Sequence, residues 1–328
     1  MTALSMKATI ERWPLAHAFA ISRGAKTEAV TVTVDLGDGT FMGRGECVPY
    51  ARYKETPESV LADIEAMKEL LACGLTRQEL QRLMPPGAAR NAIDCALWDL
   101  EAKQTAKPVH ELAGMPALKP LVTAFTISLN APEKMAEEAK KAADWPILKI
   151  KLGQSGDLAR LKAIRAAAPK PELIVDVNEG WTPDNLAENF AICAEAGVTM
   201  IEQPLPAGQD QALANIPHPI PLCADESLHD RASLAALKGK YEAVNIKLDK
   251  AGGLTEALAL ADEALSQDFT LMAGCMVATS LAIAPALLFA QKARVVDLDG
   301  PLWLEKDREN GLRYDKHHIY PATRELWG

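Results

Sequence analysis

A chain of 328 residues, 48% of them hydrophobic, is longer than one small domain needs and has the apolar content for a large core. Its formal net charge of -9 argues against nucleic acid, whose binding depends on neutralising phosphates with Lys and Arg. The richest apolar run, 281–290, is broken by Pro285 and falls short of the roughly 20 residues that cross a bilayer, and 1–10 does not read as a signal peptide, so no membrane association and a cytoplasmic location are expected.

The first hundred-odd residues read as an α+β unit. Residues 31–36 and 41–48 alternate apolar and polar side chains around Gly37-Asp38-Gly39, the pattern of an antiparallel hairpin. Helical periodicity follows at 57–72 and 88–103, the second with Ala92, Ile93, Ala96, Leu97 and Leu100 on one face, spaced to pack on a sheet. From about Pro120 the pattern becomes strand, loop, helix, repeated. Strands are expected at 122–128, 147–152, 173–177, 199–202, 221–225, 243–247, 270–273 and 294–298, with helices such as 131–143, 158–168, 183–196 and 254–265 between them. Eight short strands alternating with helices argue for a closed parallel (β/α) barrel of the TIM type. Residues 116–299 span only 184 positions, against roughly 250 for a typical barrel. The tail beyond Asp299 lacks a clear eighth helix and is expected to return to the N-terminal unit. The expected organisation is an α+β capping domain, residues 1–115 plus 300–328, on a barrel of residues 116–299.

Polar or charged residues stand at the C-terminal end of nearly every expected barrel strand: Lys149 and Lys151, Asp176 and Asn178, Glu202, Asp225 and Glu226, Lys247, then Asp297 and Asp299. From Lys151 to Lys247 the intervals are 22 to 26 residues, about one βα unit each, so these side chains are expected in one mouth, where barrel enzymes do their chemistry. Period-two alternation places Lys149 and Lys151 on one face of their strand and Asp176 and Asn178 on one face of theirs. A lysine pointing into a barrel is costly unless a charged partner waits there. Three acids from successive strands supply that partner and form a hard, oxygen-lined site of the kind that binds Mg²⁺ or Mn²⁺. Any one of these charges alone fits a solvated strand end or a stabilising ion pair; six strand ends in register do not.

At these residues the sequence resembles the enolase superfamily, specifically its muconate-lactonizing subgroup, over essentially its whole length. The motifs that carry the likeness are Lys149-Ile150-Lys151, Asp176-Val177-Asn178, Ile201-Glu202-Gln203-Pro204, Ala224-Asp225-Glu226-Ser227 and Asn245-Ile246-Lys247, with Gly43-Arg44-Gly45-Glu46 and the 92–100 helix similar to the capping domain. The resemblance implies a modified (β/α)7β barrel in which Asp176, Glu202 and Asp225 ligate one Mg²⁺, with Mn²⁺ as a substitute. It implies Lys151 and Lys247 as acid/base catalysts on opposite faces of the substrate, with Lys149 neutralising the bound carboxylate. Within the subgroup the likeness is to dipeptide epimerases, including the L-Ala-D/L-Glu type, because Asp297-Leu298-Asp299 resembles the acidic pair that in this family holds a dipeptide's α-ammonium group. A lyase or cycloisomerase of the same subgroup, such as an o-succinylbenzoate synthase or a muconate cycloisomerase, is the alternative; its substrates would leave that pair facing nothing positive.

The chemistry follows physically. An enediolate carries two negative charges, which a Lewis-acidic metal offsets by several kcal/mol. The base must be a neutral lysine, and Mg²⁺ and Lys149 are expected to push its pKa down from the reference of about 10.4. Residues 19–26 resemble a loop closing over the substrate, from which Arg23 is a candidate partner for an acidic second side chain, as in L-Ala-L-Glu. Further substrate contacts are expected from Met276 and from position 125 (Phe125) on the first barrel strand. The partner is thus a small dipeptide, and a homo-oligomer is compatible with the sequence. Gly252-Gly253 reads as a turn, since it lacks the spacing of a phosphate loop. The six scattered cysteines form no Cys-x-x-Cys pair and read as reduced.

Overall fold

The computed structural model describes residues 3–328. The N-terminal sheet is antiparallel: β1 (Ser5–Ile21) pairs with β2 (Gly24–Gly37), which pairs with β3 (Met42–Cys47). The β2–β3 turn is set by Asp38, whose Oδ1 accepts hydrogen bonds from the backbone N–H of Thr40 at 2.8 Å and of Phe41 at 2.7 Å. Sequence periodicity missed β1. Its register slips between Pro14 and Phe19, and only Met6 and Leu15 are buried along it, so no clean alternation survives. Residues 19–26, read as a loop, form the tip of the β1–β2 hairpin, with Phe19 opposite Lys26 and Ile21 opposite Gly24.

The helix expected at 57–72 is two pieces, Pro57–Glu65 and Lys68–Ala72, the first begun by a Thr56–Ser59 capping box. The helix Ala88–Thr105 packs Ala92, Ile93, Ala96 and Leu100 on the sheet with Val32, Val34 and Leu36. Gly43 and Gly45 permit that contact: a Cβ on either would lie 2.2 Å from the Ala96 carbonyl oxygen or 2.1 Å from that of Ala92. The opposite face, with Cys95, Trp98 and Ala102, joins the second core, and Trp98 Nε1 donates to Thr255 Oγ1 at 2.9 Å.

That second core surrounds eight parallel strands. After β4 (Leu121–Val122) come β5 (Phe125–Ile127), β6 (Ile147–Lys151), β7 (Glu172–Asp176), β8 (Val198–Glu202), β9 (Leu222–Ala224), β10 (Ala243–Ile246), β11 (Thr270–Gly274) and β12 (Val295–Asp297), paired in sequence order from β5 to β12. The single strand expected at 122–128 is therefore β4 and β5, in different sheets. One backbone hydrogen bond, Ala124 N–H to the Val296 carbonyl at 2.7 Å, spans the seam between first and last strands. The small size of the barrel has a local cause. The β8–β9 and β9–β10 crossovers contain only the 3-10 turns Gln211–Ala214 and Arg231–Ala236 in place of α-helices.

The tail touches both units. Leu304 bridges Leu15, and Glu305 N–H donates to the Pro14 carbonyl at 2.9 Å. Next, β13 (Tyr314–Asp315) and β14 (His318–Ile319) form a small sheet with β4. Finally, Gly328 N–H reaches Asp99 Oδ1 at 2.7 Å. Among the described residues all six cysteines are free, and no helix is long and apolar enough to cross a membrane.

Candidate active site

Strand register builds the site. Lys151 is level with Asp176, and Asp176 with Glu202, across β6, β7 and β8; Asp225 follows the end of β9 and Lys247 the end of β10. Below them Ile174, Met200, Cys223, Ala243, Met272 and Val295 fill the barrel. Lys149, only 1% exposed, lies at the centre, with Nζ 2.7 Å from Glu202 Oε2, 2.7 Å from Asp297 Oδ2 and 3.1 Å from Asp176 Oδ2. Lys151 Nζ is 2.6 Å from Asp176 Oδ2, and Lys247 Nζ is 2.7 Å from Asp225 Oδ2.

These pairings set the protonation states. Burial alone would raise Asp176 and Asp225, but lysines overcome it and hold both below the usual carboxylate range: Lys151 and Lys149 at Asp176, Lys247 and Lys250 at Asp225. Glu202 goes the other way, lifted by burial and by the charge of Asp176. At Lys247 the protein's own charges oppose one another. Burial and Lys149 do push its ammonium down, but Asp225 and Glu202 outweigh them and raise it.

The sequence-derived metal ligands are neighbours, yet among the described residues no three His, Cys, Asp or Glu side chains stand within reach of one ion. The ammonium groups lie among them, each carboxylate already paired. The donor set still fits a hard divalent ion. All three groups offer oxygen, all are at most 2% exposed, and Glu202 Oε2 receives no hydrogen bond of good geometry despite the nearby Lys149 ammonium. Supporting bonds fix two of them. Asn245 Nδ2 donates to Glu202 Oε1 at 2.7 Å, and Gln203 Oε1 accepts from the N–H of Asp225 at 2.9 Å. Asn178, Glu179 and Gln203 hold left-handed backbone conformations at the ends of β7 and β8, strain of the kind that collects at functional sites.

Above the ion pairs lies a cavity of about 410 Å³, reached by Lys149, Lys151 and Lys247 from the barrel and roofed by the hairpin tip and the Tyr50–Tyr53 loop. Asp297 and Asp299 are in its wall. Asp297 Oδ1 has no hydrogen-bond donor, while Asp299 Oδ2 accepts from Thr126 N–H at 2.8 Å. Burial and Asp297 raise the Asp299 carboxyl above its ordinary range. Met276 lines the cavity as expected from its position, beside Cys275. The contact assigned to position 125 falls one residue away. Phe125 points outward onto Trp145, with ring centroids 5.0 Å apart, and alternation gives the cavity Thr126 instead.

Arg23 reaches the cavity, but its donors are engaged. Nη1 bonds the Asn178 carbonyl at 2.7 Å and Glu179 Oε2 at 3.0 Å; Nη2 bonds Tyr50 Oη at 2.9 Å and Glu226 Oε1 at 2.7 Å. Lys26, which sequence reasoning passed over, is the cation in that wall whose ammonium has no hydrogen-bond or ion-pair partner among the described residues. Only a knowledge of the hairpin register could have placed it. Lys250, also missed, had a signal: it follows Lys247 by three residues, one helical turn. Gly252-Gly253 is a turn, and Arg90 donates to the carbonyls of Ala251 at 2.7 Å and Gly252 at 3.0 Å.

Both parts of the chain resemble known proteins. Residues 134–324 match the family model "Enolase C-terminal domain-like", and residues 3–114 match "Mandelate racemase / muconate lactonizing enzyme, N-terminal domain". An L-Ala-D/L-Glu epimerase of Escherichia coli is 49% identical over 96% of this chain and 99% of its own length. An N-acetyl-D-glutamate racemase of a Pseudoalteromonas species is 44% identical over 90% of this chain and 95% of its own. A crystal structure of an enolase family member from Agrobacterium tumefaciens with homology to dipeptide epimerases, bound to sodium and L-Ala-L-Glu, has a TM-score of 0.97 at 55% identity and covers 99% of this chain and 100% of that one. With both of its parts matched and its lysines and acids arranged around one barrel mouth, the chain belongs to the enolase superfamily.

Proposed function

We propose that this enzyme is an isomerase, a metal-dependent dipeptide epimerase that converts L-Ala-L-Glu to L-Ala-D-Glu by 1,1-proton transfer. The observation that carries this reading is the placement of Lys151 and Lys247 in one cavity from opposite walls. They belong to the second and sixth of eight barrel strands, halfway round the ring. One lysine, neutral, takes the α-proton as the C–H bond breaks; the other, protonated, gives a proton to the opposite face as the new C–H bond forms. Lys149, between Asp176, Glu202 and Asp297, meets the substrate carboxylate with its charge. The unpartnered Asp297 Oδ1 and the carboxyl of Asp299 face the α-ammonium group. Asp176, Glu202 and Asp225 would hold Mg²⁺, which supplies Lewis-acid stabilisation of charge on the substrate carboxylate. A cytoplasmic role in cell wall peptide metabolism suits such a substrate.

The relatives are epimerases and racemases, so the lyase or cycloisomerase alternative is not carried forward. The Pseudoalteromonas relative favours a second reading, racemisation of N-acetylglutamate, which would use the same lysines but offers the acidic pair no ammonium group. Incubating L-Ala-L-Glu and N-acetyl-L-Glu in D₂O with Mg²⁺ separates the two. Deuterium should enter the dipeptide about 10- to 100-fold faster, as expected for a charge-assisted contact of roughly 1.5–3 kcal/mol, and Asp297→Asn should narrow the gap. Equal or faster exchange of N-acetyl-L-Glu would sink the dipeptide reading.

A further inference from the structure

Asp225 is gripped from two sides, and only one grip belongs to the acid/base pair. Lys247 takes Oδ2 from the cavity. Lys250, in the short helix Leu248–Ala251, takes Oδ1 at 2.5 Å from behind, and its ammonium is 1% exposed. The same Nζ donates to the backbone carbonyl of Asp225 and, at 3.0 Å, to that of Asn245. Asn245 in turn holds Glu202 Oε1 through its side-chain amide. One buried cation therefore ties the ends of β9 and β10 together and touches the residue that orients Glu202.

We propose that Lys250 is a positioning residue for the ion-binding centre: it locks the Asp225 carboxylate so that Oδ2 alone is presented to the cavity, and it steadies Asn245 behind Glu202. The inference rests on the reading of Asp176, Glu202 and Asp225 as ion ligands. Three acceptors on one ammonium use all of its protons, so Lys250 has none to give to chemistry. Groups that orient metal ligands in this way typically change ion affinity by 10- to 100-fold when removed.

The test is calorimetric titration of Mg²⁺ into the chelator-stripped full-length protein. Lys250→Met, which keeps the stem and removes the donor, should weaken Mg²⁺ binding at least about tenfold. At saturating Mg²⁺ it should lower kcat about tenfold or more, with the dipeptide KM within about twofold of wild type. Lys250→Gln, which retains a neutral donor for the carbonyls, serves if the Met variant fails to fold, and the same loss of affinity is expected of it. Mg²⁺ affinity within about twofold of wild type in a folded variant, or tighter binding, overturns the proposal. Glu202→Gln is the separate check on its foundation: if that variant binds Mg²⁺ as wild type does, the ion-site reading itself fails.

Discussion

The ammonium groups of Lys26 and Lys151 flank a single aromatic ring, lying 5.9 Å and 5.7 Å from the centroid of Phe19. The unpaired cation of the cavity wall is thus held close to Lys151, one of the two lysines proposed to face the α-carbon. Lys26→Met should raise the KM for L-Ala-L-Glu about tenfold or more and leave L-Ala-L-Gln and an apolar dipeptide within about twofold. Burial and Lys151 lower the Lys26 ammonium to about 8. Its charge is therefore present below that pH and lost above it, so KM for the Glu substrate alone should climb between about pH 7 and 9. Arg23→Ala should slow all three substrates alike, because its guanidinium serves the hairpin tip. Uniform loss in Lys26→Met would remove the assignment.

Glu202 is the acid whose Oε2 lacks a good hydrogen bond, and it should be the least dispensable carboxylate. Chelation should abolish activity and Mg²⁺ should restore it, while Glu202→Gln should cost several orders of magnitude in kcat. Initial rates before and after exhaustive dialysis against EDTA decide the matter; full activity after chelation would end the metal reading.

Lys151 and Lys247 should fail separately. Lys151→Ala and Lys247→Ala should each stop epimerisation, yet each should still exchange the α-proton of one epimer with solvent, with opposite preferences. Proton NMR in D₂O on the L,L and L,D substrates reads both half-reactions. A Lys247→Ala enzyme that epimerised normally would contradict placement on opposite walls.

A fourth expectation concerns stability. Asp249 Oδ1 accepts from Val48 N–H and from Asn91 Nδ2, both at 2.9 Å, and burial pushes its carboxyl up to about 7. An acid raised above its unfolded value of about 3.8 favours the folded state most at low pH and loses that contribution as pH rises through about 7. Asp249→Asn keeps both hydrogen bonds and removes the ionisation. The variant should exceed wild type at pH 8 by on the order of 4 kcal/mol, with the difference shrinking to about 1 kcal/mol near pH 4.5. Urea titrations at the two pH values measure it, and a constant offset would assign the effect to packing.

Barrel strands, their order and the ring of charges were legible because each rests on a local period: alternation along a strand, one βα unit between strand ends. Lys149, Lys151, Asp176 and Glu202 fall on paired strands in that way. What the sequence hid depends on register between distant segments. β1 carries a slip at Pro14, so its alternation is lost, and the seat of Lys26 follows only from its pairing opposite Phe19. The misplacement at position 125 has the same root: one residue along a strand exchanges Phe125 for Thr126 and outside for inside. Arg23 was visible as a charge, but its partners Glu226 and Glu179 lie more than 150 residues away.

The seam between Ala124 and Val296, and the tail residues that clasp Pro14 and Asp99, join segments far apart in the polypeptide. A ribosome releasing this chain from its N-terminus would leave β1 and the first barrel strand without these partners until residues 296–305 emerged. Folding dominated by such distant pairings is slow, and shortened translation products should expose unpaired strand edges and aggregate rather than act as weak enzymes.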